Sequence, residues 1–419
     1  MSSLLSSTIK NPSFWESGFK KIEWMSQRMP ILRSINERYS YEKPFAGKTI
    51  AMCIHLEAKT AYMALVLQNG GANISITGCN LLTTQDDCAA ALVHKGISVH
   101  SWRGATPEEY KQQLLRVLDS NPDQILDDGA DLTATLYALR PELAPKLIGI
   151  SEETTCGIVR FRAMEAQGVL KHPVIAVNNA KMKQMFDNRY GTGQSAMEAI
   201  MHTTNQTVCG KNFVVIGYGW CGKGVAMRAK GMGAKVIVCE VDPIPANEAI
   251  MDGFEVMPLS AAAPRGDFFV TVTGCNNVIR TSHFLQMKDG AILANAGHFD
   301  VEINKNDLIS ISCEPPRLVR DNTQEYVLNN GRKLYLLGEG RLVNLVASDG
   351  HPVEIIDLSF SLQCLAQEYL LHNGKNLPPK LLELPKEIDE KVAQLRLDSI
   401  GVKIDKLTSD QIEYLNSWN

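Results

Sequence analysis

The sequence predicts an α/β fold: two doubly wound, Rossmann-like domains and a small helical C-terminal tail. Three observations carry this. Short apolar runs that suit buried parallel strands alternate with helical stretches along most of the chain. A glycine-rich turn, Gly217 to Gly224, joins one such run to a helix. Polar clusters follow the carboxyl ends of most of the predicted strands, the edge where ligands bind in open α/β sheets.

The glycine-rich turn is the most informative stretch. The strand Phe213 to Ile216 leads into Gly217, Gly219 and Gly222, and a helix follows from Val225 to Lys230. A second strand, Lys235 to Cys239, ends at Glu240. This is the dinucleotide fingerprint in its required context. Gly217 permits the tight turn, Gly219 lets the backbone approach a pyrophosphate, and Gly222 allows close helix–strand packing. The helix N-terminus offers free N–H groups to the phosphates. Glu240 is placed for the adenosine ribose hydroxyls, which favours NAD over NADP.

The bulk numbers narrow the class. The 419 residues suit two or three domains with sizeable cores. A net charge of −4 gives no electrostatic case for nucleic acid. No apolar run approaches the roughly 20 residues of a membrane span, and the first 25 residues show no signal-peptide pattern. Ten scattered cysteines lack zinc spacing and suit reduced, buried thiols in the cytoplasm, with no metal site.

In chain order, helices are expected from Pro12 to Arg28 and Pro30 to Tyr39. A strand from Lys48 to Ile54 ends at His55, a helix runs from Ala58 to Leu67, and a strand from Ala72 to Thr77 ends at Gly78-Cys79-Asn80. Gln124 to Leu126 ends at Asp127-Asp128-Gly129, Lys146 to Ile150 at Ser151-Glu152-Glu153, and Pro173 to Val177 at Asn178-Asn179. Asn188 to Thr203 is helical and links this unit to the fingerprint unit. Further strands are Phe268 to Thr273, Ala291 to Asn295 and Leu334 to Leu337. The segment from Gly340 to Gln363 crosses back to the first unit, and Pro378 to Asn419 reads as a charged helical tail that packs on something. The division is residues 1–188 with 348–377 for substrate, 189–347 for NAD, and 378–419 for the tail.

The motifs CIHLEAKTA, TTQDDCAAAL, ILDDGADLT, SEETTCG, NNAKMKQMFDNRYG, AGHFDVEI and GRLVN…GHP, with the fingerprint, make the chain resemble the S-adenosylhomocysteine hydrolase family over essentially its full length. It is most similar to the short-tailed members. The resemblance implies reversible hydrolysis of S-adenosyl-L-homocysteine to adenosine and homocysteine, usually by a homotetramer. The family's route uses tightly held NAD to oxidise the ribose C3′, which acidifies the C4′ proton. Homocysteine is then eliminated, water adds, and the hydride returns, so NAD is regenerated.

The same resemblance implies the roles of individual residues. Lys183 and Asp187 handle the 3′-hydroxyl proton; their spacing of four places them on one helix face, and the lysine is expected to have a depressed pKa. Glu153 holds the ribose hydroxyls. His55 and Asp128 serve the C4′ proton, the leaving sulfur and the water, in an order the sequence leaves open. His298 sits near the 3′-oxygen. Thr154, Thr155, Cys156, Asn188 and Asn344 bind the cofactor. Thr60, Gln85 and His351 line the nucleoside pocket.

Three departures cluster on the purine end. Glu57 and Lys59 stand where common members carry Thr and Glu, and Asp349 replaces a usual Met. A lysine suits a 6-oxo group and a carboxylate suits N1–H, so S-inosyl-L-homocysteine is the alternative substrate; the competing reading pairs the two charges with each other at the helix start. Cys156 stands where a third Thr is usual, and the Lys/Tyr tail of longer members is not seen; both point to looser NAD. An ordinary dehydrogenase and a non-catalytic regulator of the family are the rival readings. The full set of hydrolase motifs opposes the first. Retention of His55, Asp128, Glu153, Lys183, Asp187 and His298 opposes the second.

Overall fold

The computed structural model describes residues 7–418. The opening six residues of the segment read above for a leader lie outside them. Six strands in chain order build most of the first sheet: β1 (Thr49–Cys53), β2 (Asn73–Thr77), β3 (Ser98–Val99), β4 (Gln124–Asp127), β5 (Gly149–Glu152) and β6 (Val174–Ala176). Eight more build the second: β7 (Asn212–Ile216), β8 (Lys235–Cys239), β9 (Glu255–Val256), β10 (Phe268–Thr271), β11 (Ala291–Asn295), β12 (Arg317–Arg320), β13 (Thr323–Val327) and β14 (Lys333–Leu337). The last, β15 (Leu381–Glu383), returns to the first sheet.

The first sheet runs β15-β6-β5-β4-β1-β2-β3, and every neighbouring pair is parallel. The second runs β12-β13-β14-β11-β10-β7-β8-β9; it is parallel from β14 to β9, with β13 and β12 added antiparallel. Both therefore contain the doubly wound order, reversing direction between β1 and β4 in one and between β7 and β10 in the other. A crevice opens at each reversal, because the connections on its two sides leave toward opposite faces.

Burial on both faces explains the apolar strands. Ile50 and Met52 of β1 belong to one core cluster, while Ala51 and Cys53 belong to another on the opposite face. The second sheet divides the same way: Phe213 and Val215 face one core, Val214 and Ile216 the other. A doubly covered parallel strand needs apolar residues at consecutive positions rather than alternating ones.

The long helix Val353–Asn373 lies against the first sheet, and residues 356–367 are buried all round it. It carries Ser359, Gln363 and Gln367 into the interior without the alternating face that marks a surface helix. Two expectations change here. Residues 381–383, read as part of a helical tail, extend β6 as a parallel strand. The expected single helix from residue 188 instead begins as a π-helical stretch, Gln184–Gly191, before the α-helix Thr192–Thr204. Such wide turns are frequent at functional sites.

Candidate active site

His55 follows β1 and Asp128 follows β4, so the two flank the reversal point of the first sheet. His55 Nδ1 lies 2.8 Å from Thr83 Oγ1. Its Nε2 faces Asp128 Oδ2 at 3.7 Å. Burial pushes the His55 imidazole down to about 4, against the pull of Asp128, so the ring is neutral at physiological pH. His298, from the turn after β11, reaches across from the second sheet and sets Nδ1 3.5 Å from Asp128 Oδ1. The two imidazole centroids are 5.3 Å apart. The Cys79 thiol donates to Asp128 Oδ2 at 3.3 Å.

Asp128 is held by its neighbours in sequence and space. The Glu152 carboxylate, fully buried at the end of β5, accepts from the N–H groups of Gly129, Ala130 and Thr154. Asp127 accepts from Leu132 and Thr133. These two carboxylates tie the loops after β4 and β5 together; burial pushes both up, Asp127 to about 6.

A second cluster stands on the π-helical stretch. Lys183 Nζ lies 3.2 Å from Asp187 Oδ1 and 3.5 Å from Glu153 Oε1. It donates to Asn188 Oδ1 at 2.8 Å and to Asn178 Oδ1 at 3.4 Å. The expected depressed lysine is not found in the protein alone. Burial pulls its pKa down, but Asp187 and Glu153 outweigh burial and the net shift is upward. Glu153 is pushed up to about 7 by burial, which Lys183 only partly offsets. Asp187 falls below the usual carboxylate range, since Lys183 and His351 overcome its burial. The long helix completes the cluster: Ser359 Oγ donates to Asp187 Oδ2 at 2.8 Å, and Gln363 Nε2 to Glu153 Oε2 at 2.6 Å.

The second sheet presents the dinucleotide cradle. Gly217 has φ +102°, which only glycine adopts without strain. A Cβ on Gly222 would stand 2.0 Å from the Gly217 carbonyl oxygen, while one on Gly219 would meet nothing within 4 Å. Gly219 lines the cavity and caps the helix Trp220–Gly231 with no side chain, leaving its first N–H groups for an anion. Glu240 closes the cradle at the end of β8. Its carboxylate also accepts from the N–H groups of Tyr218, Val241 and Asp242. Thr154, Thr155, Cys156 and Asn188 face this cradle from the first sheet. Asn344 is fully buried behind the wall; its Nδ2 donates to Ser195 Oγ at 3.0 Å, and its Oδ1 has no partner. The cradle, with the uncapped helix N-terminus at Gly219 and the Glu240 carboxylate at its end, fits NAD.

The base end lies at the start of the helix Ala58–Asn69. The Glu57 carboxylate caps it, accepting from Lys59 N and Thr60 N. Lys59 Nζ sits 2.7 Å from Glu57 Oε2 and donates to the Asp349 carbonyl at 2.9 Å. Glu57 and Lys59 therefore do pair with each other, yet both line the cavity. Asp349 turns its side chain to the exterior and offers Lys59 only its main-chain oxygen. Thr60 Oγ1 donates to the His55 carbonyl at 2.7 Å. His351 Nε2 lies 3.0 Å from Thr192 Oγ1 and 3.8 Å from Asp187 Oδ1. Gln85 heads the helix Asp86–His94 and stays off the cavity wall, its Oε1 accepting from Cys88.

One cavity of about 1050 Å³ joins all three regions and is lined from both sheets. Of the residues singled out from sequence, only Gln85, Asp349, Gly222 and Asn344 do not line it. The sequence reading passed over four polar residues that hold the site. Cys79 stood in a noted strand-end cluster, and Thr83 in a quoted motif; Ser359 and Gln363 gave no signal, since a helix buried all round has no polar face to read.

The chain is similar to known proteins along nearly its whole length. Residues 6–143 match the family model described as S-adenosyl-L-homocysteine hydrolase, and residues 188–350 match its NAD binding domain. The chain is 54% identical over 410 residues to the S-inosyl-L-homocysteine hydrolase of Methanocaldococcus jannaschii, covering 98% of each chain. It is 54% identical over 410 residues to the adenosylhomocysteinase of Thermococcus kodakarensis, covering 98% of this chain and 97% of that one. To the adenosylhomocysteinase of Thermotoga maritima it is 55% identical over 402 residues, covering 96% and 99%.

Proposed function

The chain belongs to the S-adenosyl-L-homocysteine hydrolase family, and from that membership we propose that it is an NAD-dependent thioether hydrolase. Its reaction is the reversible hydrolysis of S-adenosyl-L-homocysteine to adenosine and L-homocysteine. The observation that carries the reading is one cavity in which the His55–Asp128–His298 group and the Lys183–Asp187–Glu153 group both face the dinucleotide cradle.

NAD, held by Gly217, Gly219, Glu240, Thr154, Thr155 and Asn188, supplies when bound a reversible hydride acceptor for the ribose. The chain's own residues handle the protons. Lys183 and Asp187 handle the 3′-hydroxyl proton; the positive ring of bound NAD would oppose the two carboxylates that raise the lysine in the protein alone, as proton acceptance requires. Glu153 orients the ribose hydroxyls, and its raised pKa lets it share a proton with them at neutral pH. His55, neutral and with Nε2 unsatisfied, accepts the proton at C4′ or from the incoming water. Asp128, between two imidazoles, orients both and stabilises whichever becomes charged.

A second reading has its own observation. Lys59 Nζ is buried on the cavity wall and, among the described residues, has only Glu57 and one carbonyl as partners, so an ammonium N–H remains for a 6-oxo acceptor. That favours S-inosyl-L-homocysteine, giving inosine and homocysteine. Homocysteine thiol release from both substrates on one preparation tests the two readings. A higher kcat/KM for the inosyl substrate selects the second; a clear adenosyl preference selects the first; no thiol from either rejects both.

We also assign a cytoplasmic homotetramer. Ten unpaired cysteines favour a reducing compartment. The helix Ser409–Asn416 buries none of its residues and exposes Ile412, Tyr414 and Leu415, which favours a partner subunit. A monomeric sedimentation coefficient rejects the tetramer.

A further inference from the structure

The centre of the candidate site offers a second chemistry that hydrolysis leaves unused. His55, Cys79, Asp128 and His298 each present one ligand atom, and these atoms all lie within 4.8 Å of one another. Around Asp128 the separations are 3.3 Å to Cys79 Sγ, 3.7 Å to His55 Nε2 and 3.5 Å to His298 Nδ1. Tetrahedral zinc, with bonds of about 2.0–2.3 Å, has donor–donor edges of about 3.3–3.8 Å. The three contacts to the Asp128 carboxylate, two at Oδ2 and one at Oδ1, fall in that range, and all four donor atoms lie within 4.8 Å of one another, so small side-chain movements close the set around an ion.

A second observation points the same way. His55 Nε2, the nitrogen that faces Asp128, is buried with no hydrogen-bond partner among the described residues, on a residue only 8% exposed. Thr83 engages His55 Nδ1, which directs the ring's lone pair at Nε2 toward Asp128, the outer contact that metal-bound histidines ordinarily have. The charges also balance. One thiolate, one carboxylate and two neutral imidazoles give an electrically neutral site with a divalent ion, which limits the cost of burying it. A mixed sulfur and nitrogen set suits zinc, while magnesium and calcium require more oxygens.

We propose that His55, Cys79, Asp128 and His298 form a closed four-ligand zinc site whose occupancy shuts the enzyme off. On binding, the Cys79 S–H bond breaks, an S–Zn bond forms and the proton leaves to solvent; no electrons are transferred. The ion takes the His55 lone pair and the Asp128 carboxylate, so neither serves a substrate proton. Inhibition rests on the hydrolytic reading, whereas metal binding does not.

The test uses the NAD-loaded full chain. Zinc is titrated alone by equilibrium dialysis, and cobalt(II) serves as the absorbing probe. The expected result is one equivalent per chain, tetrahedral cobalt bands with a thiolate charge-transfer band, and turnover lost with zinc and restored by a chelator. Cys79→Ser should abolish the charge-transfer band and weaken zinc at least tenfold, and His298→Gln should weaken it at least tenfold with the thiolate band retained. An unchanged band in Cys79→Ser, or metal held only by the exposed Cys209, Cys275 and Cys313, overturns the proposal. A Cys79-dependent single site in a protein that hydrolyses neither nucleoside thioether would uphold the metal site and reject the function instead.

Discussion

Gln363 Nε2 donates to Glu153 Oε2 at 2.6 Å, and its Oε1 accepts from Ser151 Oγ at 2.6 Å. A helix more than two hundred residues further along the chain thus fixes the carboxylate that faces Lys183. The same helix fixes Asp187 through Ser359. Gln363 lowers the Glu153 pKa against the larger effect of burial. Gln363→Leu removes that donor, so the Glu153 pKa should climb above its present value of about 7. A hydrogen bond to a charged group is worth about 1.5–3 kcal/mol. The Glu153-dependent limb of the kcat/KM profile should move to higher pH by about one unit or more, with a loss of about fivefold or more at pH 7. A merely structural role would lower activity evenly without moving that limb.

The neutral imidazoles give a stability prediction with a definite sign. His55 and His100 are both driven by burial from 6.5 to about 4. Between those values the unfolded chain binds more protons than the folded one, so stability rises with pH across the window. It is fully present above about pH 6.5 and is lost as pH falls toward 4. Melting temperature should therefore drop through this range, and His55→Asn should flatten the drop. An unaltered slope in that variant would place the cause elsewhere.

The base end yields a specificity prediction. Lys59→Gln alone leaves the buried Glu57 carboxylate without its cation, which is strongly destabilising. The double variant Glu57→Gln, Lys59→Met removes both charges and the lysine donor and nearly keeps the volume. If Lys59 reads a 6-oxo group, the ratio of kcat/KM for inosyl over adenosyl substrate should fall at least tenfold, an energy of about 1.4 kcal/mol. Equal losses on both substrates would make the pair purely structural.

How far the sequence carried the reading follows from the range of each interaction. The cradle was legible because strand, glycine turn, helix and acid lie within thirty residues and form one local unit. His55 and Asp128 were legible as polar residues after apolar runs. That they flank a crevice depends on the order of strands, which no local pattern states. Lys59 and Glu57 looked equally suited to reading a base and to pairing with each other, and the geometry combines both. Asp349 looked like a third base contact, but its turn directs the side chain outward and the carbonyl inward. The upward shift of Lys183 comes first from Asp187, four residues on, and then from Glu153, thirty residues away in sequence and 3.5 Å away in space, whose contribution no local spacing states. β15 escaped notice because three residues at a sheet edge, half exposed, carry no strong apolar run.

The two glycines of the cradle should separate folding from cofactor binding. At Gly222 a Cβ would stand 2.0 Å from the Gly217 carbonyl oxygen, backbone against backbone, with no side chain free to yield. Gly222→Ala must force the helix Trp220–Gly231 away from β7, so the apoprotein itself should lose stability by about 1–3 kcal/mol, the usual range for overpacking. At Gly219 the added carbon meets no protein atom within 4 Å and stands on the cavity wall. Gly219→Ala should leave the apoprotein melting temperature within a degree or two of the parent. It should weaken NAD at least tenfold, because the methyl group occupies the path by which a pyrophosphate approaches the helix N-terminus. Fluorescence titration with NAD and thermal melts on the stripped proteins measure both quantities. Equal NAD affinity in Gly219→Ala and the parent would move the phosphate site away from this turn.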